Sequence, residues 1–315
     1  MLRSCLRAEA SVTTQTGSLR REGSAEVCYT GGTVHPNDTL ISFSLALYSQ
    51  WFYHKPTRCL FDAGEGVATT LGKKVFAIQH VFLSHGHEDH IAGIPNLVNI
   101  RNLTAGGEHD KPLAIYYPKH DRMIDAMIEY VEKKQRGMLR YPLYVQPVEP
   151  GDEIRIEGAK RTTRVVPFEM EHATGQLCLG YEIEQERRVL DVTTGQSVHR
   201  QYPIFFYSGD GFRAVNHSPF GRVELAVHEA TFLERDAGEA ADRIAHRHST
   251  VERTIDWAAR EDVKALVLCH LSDRYRIDEA IEAANAARTR FEFRGELYIA
   301  HRGEIVLARR EDVIQ

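Results

Sequence analysis

Three histidines and two carboxylates lie within six consecutive residues of the sequence, His85-Gly86-His87-Glu88-Asp89-His90. Imidazole and carboxylate groups are the ligands that first-row divalent metals bind when no thiolate is available. His85 and His87 are two residues apart, so in extended backbone their rings point to the same side. Asp89 and His90 follow directly and can reach a second position nearby. The segment therefore predicts a metal site with donors for two ions, rather than a merely polar loop.

Similar residues follow apolar, β-prone runs elsewhere in the chain. In sheet proteins, the residues that bind ligands lie beyond the ends of strands, where the rigid sheet holds the loops in place. We therefore expect these side chains to meet in one cleft if the strands end at a common edge. The residues that follow such runs are His85, His172, Asp210, the pair His228-Glu229, and His270.

The composition is that of an ordinary globular protein. The chain has 315 residues, of which 43% are hydrophobic and 26% are charged, and this length allows one large domain or two small ones. No apolar run reaches the roughly 18 residues of a membrane span, and the N-terminal residues contain no apolar signal segment. We therefore expect a cytoplasmic protein that does not enter a membrane. The net charge of −5 argues against a surface that is basic throughout, but it leaves room for a local phosphate-binding groove.

The spacing of the cysteines bears on disulfides and thiolate metal sites, while Cys59, Cys178 and Cys269 lie in apolar runs and are expected to be buried. The chain has five cysteines, Cys5, Cys28, Cys59, Cys178 and Cys269, and no two are spaced as Cys-x-x-Cys. This pattern predicts neither a disulfide framework nor a thiolate zinc site.

Hydrophobic periodicity predicts one α/β domain over residues 26–315, preceded by a loosely structured extension over residues 1–25. Strands alternate with helices at both ends of the domain, and the middle is rich in β-structure. The predicted strands are 41–48, 58–61, 81–83, 113–117, 143–148, 153–156, 162–168, 178–183, 204–207, 225–227, 265–268, 297–300 and 304–307. The predicted helices are 67–71, 91–102, 121–134, 251–260 and 278–288.

The order of the candidate ligands resembles that of the metallo-β-lactamase superfamily: a histidine-rich cluster, a lone histidine, an aspartate in Ser-Gly-Asp and a second lone histidine. Within the superfamily, the local sequences are similar to those of tRNase Z, the endonucleases that trim the 3′ end of precursor tRNA. The resemblance covers roughly residues 58–275. It is carried by Leu60-Phe61-Asp62-Ala63-Gly64, Leu83-Ser84-His85-Gly86-His87-Glu88-Asp89-His90, Ser208-Gly209-Asp210, His228-Glu229-Ala230-Thr231-Phe232, His248-Ser249-Thr250 and His270-Leu271-Ser272-Asp273-Arg274-Tyr275.

The resemblance implies an αββα sandwich, in which two packed β-sheets carry helices on their outer faces. It also implies two zinc ions. One ion would be held by His85, His87 and His172, the other by Asp89, His90 and His270, with Asp210 between them. The same donors also suit Mn²⁺ or Fe²⁺. Two metals about 3.5–4 Å apart can activate a shared water and stabilise both oxygens of an in-line displacement.

The resemblance also implies catalytic roles beyond metal binding. His248 would pair with Glu229 and donate a proton to the leaving 3′-oxygen, and Asp89 would orient the attacking water. The alternative for His248 is a structural role at the start of a helix. Ser249, Thr250 and Arg274 are candidates for substrate binding, although a structural salt bridge explains Arg274 equally well.

One departure from the tRNase Z pattern concerns RNA binding. Full-length tRNase Z enzymes of the common bacterial type carry a long tRNA-binding arm between the segments that correspond to His172 and Asp210, whereas here 37 residues separate the two. This length predicts two strands and a short loop in place of the arm. The sequence therefore predicts a phosphodiesterase whose substrate is RNA or a small phosphodiester. It leaves open a hydrolase of another ester (lactone, thioester, carboxylic or sulfate ester) and a non-catalytic metal-binding module. A homodimer is expected from the resemblance alone.

Overall fold

The computed structural model describes residues 35–103, 111–157, 159, 161–190, 194–217, 223–238 and 247–308. The extension predicted for residues 1–25 lies outside the described residues, as do Cys5 and Cys28. The described part of the chain forms two β-sheets that pack face to face, with helices on their outer surfaces.

The first sheet contains six strands in sequence order. Its first three strands form an antiparallel meander, and the remaining pairs are parallel. The strands are β1 (Leu40–Leu45), β2 (Ser49–His54), β3 (Cys59–Phe61), β4 (His80–Phe82), β5 (Leu113–Pro118) and β6 (Leu143–Val148).

The second sheet contains eight strands, also in sequence order. Strands β10 to β13 are parallel, and the flanking pairs are antiparallel. The strands are β7 (Ile154–Arg155), β8 (Thr163–Met170), β9 (Cys178–Leu190), β10 (Ser197–Tyr207), β11 (Ala226–Glu229), β12 (Ala265–Cys269), β13 (Glu296–His301) and β14 (Glu304–Leu307).

Three apolar clusters hold these layers together. The cluster between the sheets is rich in aromatic residues: the ring of Phe61 lies 5.5 Å from that of Phe82 and 4.9 Å from that of Phe205. The second cluster packs helices against the first sheet, and the third packs helices against the second sheet. The layers therefore follow the order helix, sheet, sheet, helix, as the predicted αββα sandwich requires.

Seven helices accompany the strands in the described residues: α1 (Pro36–Thr39), α2 (Val67–Leu71), α3 (Glu88–Ile91), α4 (Ile94–Leu103), α5 (Arg122–Lys134), α6 (Val251–Arg260) and α7 (Ile277–Arg290). None of them is long and apolar enough to cross a membrane. Helix α5 begins after Asp121, whose carboxylate accepts hydrogen bonds from the amides of Met123 and Ile124.

The prediction of one continuous helix over 91–102 was wrong, because the chain forms α3 and α4 with a break at Gly93. The amide of Gly93 donates to the carbonyl of Ala63 at 2.7 Å, and a Cβ on Gly93 would overlap the carbonyl oxygen of Gly64. This close approach of two backbone segments interrupts the helix and holds α3 against the first sheet.

The predicted strands 178–183 and 204–207 are both longer in the structure. Strands β9 and β10 form an antiparallel hairpin whose register runs from Tyr181 opposite Tyr207 to Leu190 opposite Ser197. Strand β8 pairs with β9 only as far as Gln185. The outer part of the hairpin therefore forms a two-stranded ribbon at the end of the sheet away from Asp210.

Candidate metal centre

The structure brings all seven predicted metal ligands together at one edge of the sandwich. The ligand atoms of His85, His87, His172 and Asp210 lie within 4.8 Å of one another, and so do those of Asp89, His90 and His270. The loop after β4 and helix α3 of the first sheet supply His85, His87, Asp89 and His90. The loops after β8, β10 and β12 of the second sheet supply His172, Asp210 and His270.

The loop that carries the first two histidines is shaped by a close approach to helix α5. His85 is fully buried, and its Nε2 lies 2.7 Å from Nδ1 of His87. A Cβ on Gly86 would overlap the carboxylate of Asp121 and lie 2.8 Å from Cβ of Met123. Only glycine therefore allows the loop to pack this closely and keep both imidazoles at the centre.

Asp210 lies close to histidines from both groups. Its Oδ2 lies 3.3 Å from Nε2 of His90, 3.3 Å from Nε2 of His270 and 4.0 Å from Nε2 of His85. Nε2 of His270 is also 3.2 Å from Oδ2 of Asp89. Asp210 is therefore placed where a bridging carboxylate would have to be.

The ligand atoms fit divalent cations. Oδ1 of Asp210 and Nε2 of His90 are buried, and neither has a hydrogen-bond partner among the described residues. Buried polar atoms are almost always paired, so two orphaned atoms at one point indicate a site made for a ligand. The set consists of imidazole nitrogens and carboxylate oxygens without thiolate, which suits zinc and its neighbours in the first transition row.

Two of the candidate ligands are held in the protonation states that metal binding requires. Burial, together with the adjacent rings of His90 and His172, holds the pKa of His85 well below its usual value. Burial alone would raise the pKa of Asp210, but the rings of His270 and His90 outweigh it and hold that pKa well below its usual value. His85 is therefore neutral and Asp210 ionised, which are the states required for metal binding.

A buried carboxylate behind His90 fixes the orientation of its ring. Oδ2 of Asp62 lies 2.6 Å from Nδ1 of His90 and accepts hydrogen bonds from the hydroxyls of Ser84, at 2.8 Å, and Tyr207, at 2.5 Å. Its Oδ1 accepts from the amide of Ser84 at 2.7 Å. A proton held on Nδ1 leaves Nε2 of His90 as the metal-facing atom.

Two other candidate ligands are oriented in the same way. Nδ1 of His270 lies 2.9 Å from Oγ1 of Thr231, and Nδ1 of His172 donates to the backbone carbonyl of Arg247 at 2.9 Å. Asp62 and Thr231 lie in segments that carry the family resemblance, but the sequence alone assigned neither of them a role. Asp62 directly follows β3, so the rule that polar residues at strand ends gather in one cleft could have identified it.

His248 and Glu229 form a hydrogen-bonded pair beside the candidate ligands. Nδ1 of His248 lies 3.0 Å from Oε1 of the fully buried Glu229, whose carboxylate also accepts from the amides of Gly211 and Thr231 at 2.8 and 3.1 Å. Burial would lower the pKa of His248, but the carboxylate of Glu229 outweighs it and raises that pKa above its usual value. The ring of His248 lies 4.8 Å from that of His172. The pair can therefore hold a proton at the edge of the centre.

The residues predicted to bind substrate lie in different settings. Ser249 and Thr250 are buried: Oγ1 of Thr250 accepts from the amide of Arg253 at the start of α6, and Oγ of Ser249 accepts from Thr254 at 2.9 Å. Arg274 is exposed, and its guanidinium lies 5.1 Å from the ring centre of Phe232. In this structure Thr250 caps a helix, and binding of substrate by these residues stays a prediction.

Comparison with known proteins gives a consistent result. The model of the β-lactamase superfamily domain matches residues 57–271. Ribonuclease Z of Pyrobaculum calidifontis is 30% identical over 264 residues, which cover 78% of this chain and 85% of that protein. Ribonuclease Z of Halobacterium salinarum is 28% identical over 286 residues, which cover 78% of this chain and 86% of that protein.

Solved structures show the same fold. The short form of human tRNase Z superposes with a TM-score of 0.60 at 19% identity, covering 86% of this chain and 99% of that one. A metallo-β-lactamase fold protein of Bacillus subtilis superposes with a TM-score of 0.58 at 19% identity, covering 85% of this chain and 99% of that one.

The αββα sandwich and the cluster of histidines and aspartates at its edge define a metal-dependent hydrolase of the tRNase Z type. The chain belongs to the β-lactamase superfamily and, within it, to the ribonuclease Z family. The predicted superfamily, fold class and hydrolase activity are thus confirmed.

Proposed function

We propose that this enzyme hydrolyses a phosphodiester bond in RNA and uses two zinc ions to do so. The observation that carries the proposal is the His248–Glu229 pair, which lies next to the seven candidate ligands and offers a proton where a leaving oxygen would need one. Both curated relatives described above bear the name ribonuclease Z. This favours a phosphodiester over the other ester classes that the sequence left open.

The candidate ligands divide between two ions in this proposal. His85, His87 and His172 would hold one ion, and Asp89, His90 and His270 would hold the other, with Asp210 available to both. When bound, the ions supply Lewis-acid activation of the phosphate and of the attacking water. Mn²⁺ and Fe²⁺ are the alternatives to zinc, because the same nitrogen and oxygen donors accept them.

The remaining chemistry falls to two protein groups. Oδ2 of Asp89 accepts a hydrogen bond from the amide of Leu47 at 3.1 Å, which fixes the carboxylate at the mouth of the site, where it orients the attacking water. His248 donates the proton from its imidazolium to the leaving oxygen, and the buried carboxylate of Glu229 stabilises that imidazolium beforehand. A positioned general acid contributes about 10²–10⁴-fold to the rate.

The test is the leaving-group dependence of the variant His248→Ala. Its rate on an oligoribonucleotide, whose leaving alkoxide needs a proton, should fall by about 10²–10⁴-fold. Its rate on bis(p-nitrophenyl) phosphate should fall far less, because nitrophenolate leaves without a proton. The exposed His199, which pairs with Glu186, provides the control variant His199→Ala. Absence of phosphodiesterase activity from the zinc-loaded wild-type enzyme would refute the proposal.

We further propose that the enzyme is a cytoplasmic homodimer. The family resemblance motivates this, and helix α5 offers a surface for it, because Met123 and Tyr130 are both about half exposed on the face that also carries Met127. Light scattering should give the mass of a dimer for the wild type and of a monomer for Met123→Glu/Tyr130→Glu. A wild type that is monomeric at micromolar concentration would contradict the proposal.

A further inference from the structure

Three arginines from different segments lie close together beside the metal centre. Nε of Arg213, in the loop after Asp210, lies 2.7 Å from Oε2 of Glu171. The guanidinium of Arg247 forms an ion pair with the other oxygen of the same carboxylate. The guanidinium of Arg253, in helix α6, lies 3.7 Å from the ring centre of Phe212, the residue before Arg213. We name Arg213, Arg247 and Arg253 the arginine rim.

Backbone hydrogen bonds fix the rim against the centre. The amide of Arg247 donates to the carbonyl of His172 at 2.9 Å, and the imidazole of His172 donates to the carbonyl of Arg247 at 2.9 Å. The amide of Glu171 donates to the carbonyl of Arg213, and the amide of Phe212 donates to the carbonyl of Glu171, each at 2.9 Å. The backbone that carries Arg213 and Arg247 is therefore held beside the candidate ligand His172.

Among the described residues, the charges of the arginine rim are only partly neutralised. Arg213 and Arg247 share the single carboxylate of Glu171, and Nη1 of Arg253 is buried without an acceptor among the described residues. The side chains of Arg213 and Arg247 are 71% and 48% exposed, so they are open to a ligand. In a chain with a net charge of −5, such a local excess of positive charge attracts anions to this side of the centre.

The order of the residues indicates where an anion would bind. Arg247 directly precedes His248, the proposed proton donor to the leaving oxygen, and Glu171 directly precedes the candidate ligand His172. A strand whose scissile phosphate lies at the metal centre would extend past His248 on the leaving-group side. Its next phosphate would then meet the arginine rim, because guanidinium groups match phosphate oxygens in geometry and charge.

We propose that the arginine rim binds the phosphate that neighbours the scissile one on the leaving-group side. This inference rests on the proposed phosphodiesterase function and adds to it a second phosphate-binding position beside the centre. The rim supplies a binding interaction that a substrate with one phosphate cannot use.

The experiment compares two substrates on the zinc-loaded full-length enzyme. Bis(p-nitrophenyl) phosphate has one phosphate, and a single-stranded oligoribonucleotide has several. In Arg213→Gln and in Arg247→Gln, the ratio of kcat/KM for the oligonucleotide to that for the aryl ester should fall about tenfold, which corresponds to the loss of one charge-assisted hydrogen bond. The dependence of log kcat/KM on log salt should become shallower by about 0.7 for each arginine–phosphate interaction that is removed.

Control variants separate binding from general damage. Arg260 is similarly exposed and pairs with Asp256 at 3.0 Å on the same helix as Arg253, so Arg260→Gln should leave the ratio at the wild-type value. Arg247→Lys keeps the charge and should restore most of the ratio, and zinc content should stay unchanged throughout.

The two proposals fail in different ways. The role of the arginine rim is overturned if the ratio of kcat/KM values stays unchanged in both Arg213→Gln and Arg247→Gln, or if kcat/KM falls equally on both substrates. Turnover by the wild-type enzyme would still support the phosphodiesterase in either case. A zinc-loaded wild-type enzyme that cleaves neither substrate overturns the phosphodiesterase itself.

Discussion

Replacement of Asp62 by asparagine should weaken one of the two proposed metal sites more than the other. Asp62 is fully buried and holds the proton on Nδ1 of His90 at 2.6 Å. An asparagine would keep the shape and could still accept the hydrogen bond from the amide of Ser84, but its NH₂ group would then face His90. Nδ1 of His90 would have to accept, and the ring proton would move to Nε2, the atom that lies 3.3 Å from Asp210 and faces the centre.

The size of the effect follows from the hydrogen bonds of Asp62. Loss of a carboxylate that orients a metal-binding histidine costs about 10–100-fold in metal affinity, or about 1.4–2.8 kcal/mol. The loss should fall on the group of Asp89, His90 and His270. Because the hydroxyl of Tyr207 would also lose its carboxylate acceptor, the free energy of unfolding of the metal-free protein should decrease by about 1–3 kcal/mol.

The assay is a calorimetric zinc titration of the metal-free protein, supported by elemental analysis and by urea unfolding. Asp62→Asn should bind one zinc ion with wild-type affinity and a second ion about 10–100-fold more weakly. Glu182→Gln is the matched control, because Glu182 is also a buried carboxylate beside a histidine, His217 at 3.2 Å, but this histidine is not a candidate ligand.

Two results would refute the reasoning about Asp62. One is wild-type affinity at both sites, which would show that the ring of His90 does not need this carboxylate. The other is equal weakening in Glu182→Gln, which would attribute the effect to loss of stability in general.

Three further predictions concern packing, pH and metal. Gly86→Ala should lower the free energy of unfolding by about 1–3 kcal/mol and reduce the zinc content, because the new Cβ would overlap Asp121. Gly238→Ala is the control, since a Cβ there meets nothing within 4 Å, and it should change neither quantity. Urea unfolding and elemental analysis measure the two effects. Burial lowers the pKa of His54 to about 3, so the folded state excludes a proton that the unfolded chain binds below about pH 6.5. Between about pH 7 and pH 5 the wild type should therefore lose about 2 kcal/mol more stability than His54→Gln, and equal losses in urea unfolding would contradict this. Removal of metal with a chelator should lower Tm, and added zinc should raise it again with increasing concentration; a Tm unaffected by zinc would argue against a metal centre.

The sequence predicted those features that depend on local pattern. The strands that lead to His85, His172 and His270 are short apolar runs, and period-based reasoning located each of them to within a few residues. The amphipathic helix α5 was predicted in the same way over 121–134, and in the structure Asp121 is the residue that caps it. The clustering of the seven candidate ligands followed from one rule about strand ends together with the family resemblance.

Features that depend on the approach of distant segments were missed. The break at Gly93 results from the close approach of the backbone at Ala63 and Gly64. The periodicity of the helical sequence gives no information about this contact. The convergence of Arg213 and Arg247 on Glu171 likewise joins three segments that are separate in sequence. Such pairings become visible only once the topology is known, because charged residues at these positions also fit a solvated surface.

The division of the candidate ligands between the two sheets has a consequence for how the protein is made. His85, His87, Asp89 and His90 belong to the first sheet, and the other three belong to the second, with His270 the last in the chain. While the chain is still on the ribosome, an early portion offers imidazoles without the carboxylate of Asp210 that lies between the two groups. Binding of a cation by the full set of candidate ligands can therefore occur only after both halves have been synthesised and have docked, which places it late in biogenesis.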